Sequence, residues 1–308
     1  MSAVSPTLRS APVLYPAHRA DSATLLAGAL FVLLWSTGYI AGKIGLAHAG
    51  AFTLLVARFA GATLAFALLA LAGRADWPDA RGAAHSAVVG LLSLALQFGG
   101  VYLGVQWGAE IGVAALVIGA MPLLTAAIAP WFGERVTLRQ WIGLALGLLG
   151  VLLVLADRLH IGAAPLGAYL LLVLGLFGIS LGTLYQKRFA SGGDARAGLT
   201  IQHATATLVL LPFAWNEQFA FEPSLALGMS LAWLIIVNSV GGFGLLFLLL
   251  RRGAANRVAQ LFFLIPPVTA LLGYVLLGEN FTALKLTGFV VAACGVYIGT
   301  RAATSRRA

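Results

Sequence analysis

The sequence predicts an all-α membrane protein: ten transmembrane helices forming two inverted five-helix repeats around a central cavity. Composition carries the first half of that expectation. Of 308 residues, 60% are hydrophobic and only 9% are charged, too little polar surface to cover a water-soluble globule. Apolar runs of about 20 residues follow one another along the chain, the length that crosses the hydrocarbon layer as a helix. They lack the period-two alternation of a transmembrane β-barrel. The second half rests on an internal repeat at an offset of about 145 residues. Pro122/Pro267, Gly133/Gly278, Glu134/Glu279, Thr137/Thr282, Gly143/Gly288, Gly150/Gly295 and Val151/Val296 fall in register without a gap. With one residue of slippage, Ser36, Gly38 and Lys43 align on Ser180, Gly182 and Lys187. Because each copy holds an odd number of spans, the two copies enter the bilayer upside down relative to each other. Secondary transporters build two gates from one plan in this way, with the binding site near the midplane.

The elements follow in order. Residues 1–21 form a polar tail with Pro6, Pro12 and Pro16. The first repeat covers 22–156, with spans near 23–45, 51–72, 84–107, 110–132 and 137–156. A linker at 157–164 leads to the second repeat at 165–300, with spans near 165–188, 197–215, 225–250, 254–277 and 282–300, and then to a tail at 301–308. Arg9 and Arg19 ahead of the first span resemble a signal peptide, but the matching span at 165–188 argues that the first is retained. Of the 19 Lys and Arg residues, all but Lys43, Arg158, Lys285 and the mid-span Arg58 fall on one side of the membrane when the N-terminus is cytoplasmic. That positive-inside bias places both termini in the cytoplasm. The loops are too short for a soluble catalytic domain, so the activity resides in the membrane.

Charge and cysteine exclude several classes. The net charge of +9 is spread over short loops and forms no stripe for nucleic acid. Cys294 is the one cysteine, so neither an intrachain disulfide nor a cysteine-based metal site is expected, and no cofactor is implied. The ten carboxylates all lie at or beyond helix ends. Strong proton or sodium coupling commonly uses an acid embedded in the membrane, so its absence favours downhill or weakly coupled movement.

Polar and aromatic residues within spans mark the candidate path. Trp35, Thr37 and Tyr39 crowd the first helix beside Ser36; Gln97 and Tyr102 follow on the third, Tyr185 and Gln186 on the sixth, Asn238 on the eighth, and Gln260 with Phe263 on the ninth. Lipid is a poor host for amides, which therefore point into the bundle. Rings supply contact area and amides fix orientation, a lining suited to a small amphipathic molecule. Pro122, and Pro266 with Pro267, interrupt the fourth and ninth helices as hinges or cavity-lining breaks. Lys43 and Lys187 end matching helices on opposite faces, either as interfacial anchors or as gates. Arg58 either faces the path or snorkels outward, and its counterpart His203 either lines the path or is satisfied by a nearby carbonyl. The glycines Gly143, Gly147, Gly288 and Gly295 read as helix packing, within a monomer or as a homodimer face.

Together these features are familiar. The WSTGY segment at Trp35–Tyr39, the ARF element at Ala57–Phe59, and a proline followed by Gly133-Glu134 and Gly278-Glu279 ahead of glycine-bearing helices resemble the drug/metabolite transporter superfamily, in its EamA-type bacterial branch. Within it the chain looks most like exporters of amino acids, including aromatic ones. The resemblance implies a cavity lined by the first, third, fourth, sixth, eighth and ninth helices, with the fifth and tenth peripheral. It further implies a bacterial inner-membrane exporter of small neutral metabolites, working by alternating access. Multidrug or other metabolite efflux by proton antiport is the alternative. An intramembrane lipid-acting enzyme would need a His or acid cluster or a DxxxD metal site, and neither spacing occurs.

Overall fold

The computed structural model describes residues 22–132, 137–159, 164–251, 262, 264–279 and 282–304. Among them the chain is helical: α1 (Ser22–Leu46), α2 (Ala51–Ala72), α3 (Ala80–Gln106), α4 (Ile111–Ile128), α5 (Leu138–Leu159), α6 (Leu166–Phe189), α7 (Ala195–Asn216), α8 (Leu225–Leu246, its helix continuing to Arg251), α9 (Ile265–Leu277) and α10 (Ala283–Thr304). Seven of these are long and apolar enough to cross a membrane. The apolar parts of α5, α9 and α10 are shorter, at Leu138–Val154, Ile265–Leu277 and Ala283–Ile298.

Helix starts are held by side chains that accept from the otherwise orphaned first-turn amides. Asp79 accepts from Gly82 N, Asp194 from Arg196 N and Ser224 from Leu227 N. At α2 and α4 the acceptor comes from far along the chain. Glu217, just past α7, accepts from Phe52 and Thr53 at 3.1 and 2.8 Å, and Glu279 accepts from Ile111 at 2.9 Å. A carboxylate at a helix N-terminus also meets the positive end of the helix dipole. These two caps therefore tie distant segments as well as ending helices.

Glycines set which helices touch. A side chain at Gly150 would meet the backbone of Gly288 and Ala292, and one at Gly295 the backbone of Gly143 and Gly147. The glycine faces of α5 and α10 are thus consumed against each other inside one chain. Gly112 and Gly119 of α4 meet Ala270 and Pro266 of α9. Gly73 at the end of α2 meets Arg196 at the start of α7, while Gly50 at the start of α2 meets Glu217 beyond the end of α7. In each pairing the residue numbers rise on one helix as they fall on the other, so α2/α7, α4/α9 and α5/α10 run antiparallel.

The third and eighth helices carry irregular turns. Leu91–Leu96 in α3 and Trp233–Gly241 in α8 wind as π-helix, and the two segments overlap when shifted by about 145 residues. Such turns are concentrated at functional sites. Each is seated on a glycine: Gly182 of α6 lies against Ser93, and Gly38 of α1 against Asn238.

Pro122, Pro266 and Pro267 act differently from simple mid-helix kinks. Pro122 opens the second half of α4, after a break at Ala120 separates Ile111–Gly119 from Met121–Ile128. Pro266 and Pro267 occupy the first positions of α9, where a missing amide costs nothing because it would be unpaired anyway.

Candidate functional site

The first helix supplies one wall of a narrow central cavity. Trp35 and Tyr39, one turn apart on α1, face Gln97 of α3, Ile118, Met121 and Pro122 of α4, Ile179 of α6, and Phe262, Ile265 and Pro266 at the start of α9. The free space is about 30 Å³, room for roughly two or three waters. Trp35 is fixed by ring contacts at 5.3 Å to Phe31, 5.6 Å to Phe262 and 5.8 Å to Phe243. Gln97 is 5% exposed and, among the described residues, its amide has no hydrogen-bonding partner in the protein. The amide faces the cavity space, where water or a cargo can meet its hydrogen-bonding needs.

Beside the cavity, Arg58 stands inside the bundle at 3% exposure. Its guanidinium does not snorkel. It donates to Tyr102 Oη at 2.9 Å and to Asn238 Oδ1 at 2.7 Å, and lies 4.5 Å from the Phe98 ring centroid. An arginine at this depth costs about 2.5–3.5 kcal/mol on insertion scales. Hydrogen bonds to a charged group contribute about 1.5–3 kcal/mol each, enough to hold it there. Asn238 in turn donates to Leu34 O at 3.2 Å, so α1, α2, α3 and α8 meet at one polar centre. Gly38 and Gly42 make this approach possible, since side chains there would strike Asn238 and Tyr102.

The other residues singled out from the sequence are more dispersed. Thr37 accepts from Trp233 Nε1 at 3.1 Å and donates to Leu34 O. Tyr185 pairs with His85 at 2.8 Å and packs on Phe189, while Gln186 and Lys187 are exposed on the last turn of α6. None of these three lines the central cavity, where α6 presents Ile179 instead. His203, 1% exposed, donates from Nδ1 to Leu199 O at 2.9 Å and is ringed by Phe59, Phe66 and Phe243. Gln260 and Phe263 lie outside the described residues, as does Glu134.

Sequence reasoning missed the partner of Lys43. Lys43 ends α1 in an ion pair with Glu279 at 2.7 Å, and Glu279 is 8% exposed. The left-handed turn at Gly278, φ +66°, ends α9 and turns the chain so that Glu279 reaches both Lys43 and the start of α4. Lys285 and Glu110 pair nearby. The signal was present in part, because a Gly-Glu pair after an apolar helix marks a helix end. What it would grip depends on a contact spanning 236 residues.

A larger groove of about 300 Å³ lies between α2, α3, α6 and α7, lined by residues such as Phe52, Leu91, Leu103, Leu171, Leu210 and Phe213. Without polar groups it has nothing to orient a polar cargo. The smaller central cavity is the better candidate site.

Fold and site define a helical membrane transporter, with polar groups gathered at the junction of several helices. The EamA-like transporter family matches residues 22–156 and again 166–301, and the chain belongs to that family, within the drug/metabolite transporter superfamily. Among relatives, the "Probable amino-acid metabolite efflux pump" of Salmonella typhimurium is 27% identical over 280 residues, 87% of this chain and 92% of that protein. The "Uncharacterized inner membrane transporter YedA" of Escherichia coli K12 is 27% identical over 264 residues, 84% of this chain and 85% of that protein. One solved crystal structure superposes with a TM-score of 0.60 at 21% identity, covering 94% of this chain and 99% of its own, a likeness of fold.

Proposed function

We propose that this transporter exports small neutral metabolites, amino acids with large apolar or aromatic side chains among them, from the bacterial cytoplasm across the inner membrane. The observation that carries the reading is the partnerless Gln97 amide in a cavity walled by Trp35, Tyr39 and Phe262. Flat rings suit an apolar side chain and an amide suits its polar head. Relatives named as amino-acid metabolite efflux pumps support the same cargo class.

The mechanism we propose is alternating access by two inverted five-span repeats with both termini cytoplasmic. Antiparallel packing of α2 on α7, α4 on α9 and α5 on α10 supports the inversion, because each pair matches equivalent helices of the two repeats. The Lys43–Glu279 pair closes one rim, while the broken α4 and the proline start of α9 provide the bending points. Among the described residues no carboxylate lines the central cavity, so movement is downhill or weakly coupled. The protein acts as a monomer, its strongest glycine faces being already paired within the chain.

Uptake of a labelled amino-acid panel into proteoliposomes, with and without a pH gradient, tests cargo and coupling together. Saturable phenylalanine transport independent of the gradient is the expected result. No transport of any amino acid would overturn the cargo, and strict gradient dependence would overturn the coupling. For topology, His48→Cys and Gly192→Cys in a Cys294→Ser background are expected to label from opposite sides.

A further inference from the structure

The apolar groove between α2, α3, α6 and α7, at about 300 Å³, is far larger than the central cavity. Ala95 and Leu210 belong to a buried floor, while Leu91, Leu174 and Phe213 stand exposed along its edges. The groove is continuous with the lipid-facing surface, where Leu170 of α6 and Leu208 of α7 are 59% and 68% exposed. Along α3 its lining runs from Leu91 to Leu103, about 18 Å at ~1.5 Å per residue. That is close to half of the ~30 Å hydrocarbon core, the depth of one leaflet. One end is marked by Phe52 in the first turn of α2 and Phe213 in the last turn of α7. The other is Leu91, near the middle of α3. The groove therefore starts at one membrane face and stops near mid-depth, and the exposed Trp107 and Trp215 stand at that face, the level where tryptophan meets lipid headgroups.

A space of this size left empty forfeits dispersion contacts for every side chain around it. Water is a poor occupant, because a buried water needs polar partners and the side chains lining the groove are all apolar. At this depth the surrounding medium is hydrocarbon. We infer that the groove is a binding site for one acyl chain of a membrane phospholipid, drawn from the leaflet on the side where α2 begins, with its headgroup level with Trp107 and Trp215. Two adjacent glycines shape the site in different ways. A Cβ at Gly100 would strike the Leu171 carbonyl, so Gly100 is needed for the close approach of α6. A Cβ at Gly99 would meet Leu210 and Phe52 only at 3.6 Å, an ordinary contact, so Gly99 leaves room where a side chain could stand. The acyl chain takes up that room and packs α3 against α2 and α7, in a medium that supplies no hydrophobic drive for helices to associate. The inference stands apart from the choice of cargo.

The probe is a phosphatidylethanolamine carrying a diazirine midway along one acyl chain, mixed into phosphatidylethanolamine and phosphatidylglycerol vesicles that hold the full chain. After illumination, adducts are mapped by peptide mass. A chain seated in the groove is expected to label the floor residue Leu210 several-fold more than Leu208, two positions away on the same helix and openly exposed. A chain merely passing over the surface would label Leu208 and spare Leu210, which overturns the site. Gly99→Leu, which fills the groove from within, is expected to abolish labelling of Leu210 and Ala95, leave that of Leu208 unchanged, and keep the wild-type unfolding temperature. Undiminished floor labelling in that variant also overturns the site. Should Gly99→Leu fail to insert, the wild-type ratio of Leu210 to Leu208 decides. Loss of floor labelling on adding L-phenylalanine would assign the groove to cargo and overturn the lipid site.

Discussion

Arg58 on α2 donates to Asn238 Oδ1 on α8 at 2.7 Å across 180 residues of chain, and the contact exists because Gly38 leaves the face of α1 open to the amide. A side chain as small as methyl at Gly38 would collide with Asn238. Gly38→Ala is therefore expected to displace Asn238 and loosen Arg58, lowering transport about tenfold or more with a stability loss of about 1–3 kcal/mol, the range for overpacking a tight contact. Thermal unfolding in detergent, run beside the transport assay, checks both. Wild-type values in each would remove Asn238 from the polar centre.

Gln97 separates function from folding. Its amide faces the cavity and makes no hydrogen bond to the described residues, so Gln97→Leu removes no contact within the protein and should leave the unfolding temperature near the wild-type value. Transport is expected to fall at least ~10-fold, since the hydrogen bond to cargo is lost. A loss of stability with normal transport would mean that Gln97 is a packing residue.

Lys43 and Glu279 tie the last turn of α1 to the segment after α9. Glu279→Gln breaks the ion pair and weakens the cap on Ile111. Lys43 is one-third exposed, so the cost should lie below the ~3–5 kcal/mol of a fully buried pair, at about 1–3 kcal/mol. The variant is expected to raise labelling of an introduced Tyr39→Cys from the Lys43 side. Unaltered labelling would show that the pair does not gate access.

The packing of α5 on α10 predicts intolerance to volume. Gly150→Val would drive a side chain into the Ala292 amide and the Gly288 carbonyl, both within 2.6 Å of where its Cβ would stand, and should cost about 1–3 kcal/mol or prevent assembly. Substitution at Gly192, with open space around it, is the control for expression and folding.

Asp194 offers a pH test away from the membrane-spanning segments. The Arg196 guanidinium beside it holds its carboxyl below the usual carboxylate range, so its contribution is complete above the unfolded value of about 3.9 and is lost as pH falls through the lower folded value. Asp194→Asn should match wild-type pH dependence between neutral and mildly acid conditions. Any stability difference between the two should shrink only under strongly acid conditions, as read by unfolding temperature against pH.

Composition and periodicity alone determined that the chain is a helical membrane protein, that it repeats, and that Trp35, Tyr39, Gln97, Tyr102 and Asn238 belong inside it, because hydrocarbon excludes polar groups wherever a span carries them. Local sequence also marked the helix end at Gly278 and interruptions at Pro122, Pro266 and Pro267, since turn chemistry depends on near neighbours; that the last two stand in the first turn of α9 came only from the structure. Only the tertiary structure decided that Arg58 joins Tyr102 and Asn238, that Glu279 reaches Lys43, that Tyr185 turns to His85, and that α5 and α10 spend their glycines on each other. Those outcomes rest on residues brought together across tens to hundreds of positions by helix packing, and side-chain reach after packing is not written in any local pattern. The π turns at Leu91–Leu96 and Trp233–Gly241 belong to the same group, being adjustments of a helix to the neighbour it meets.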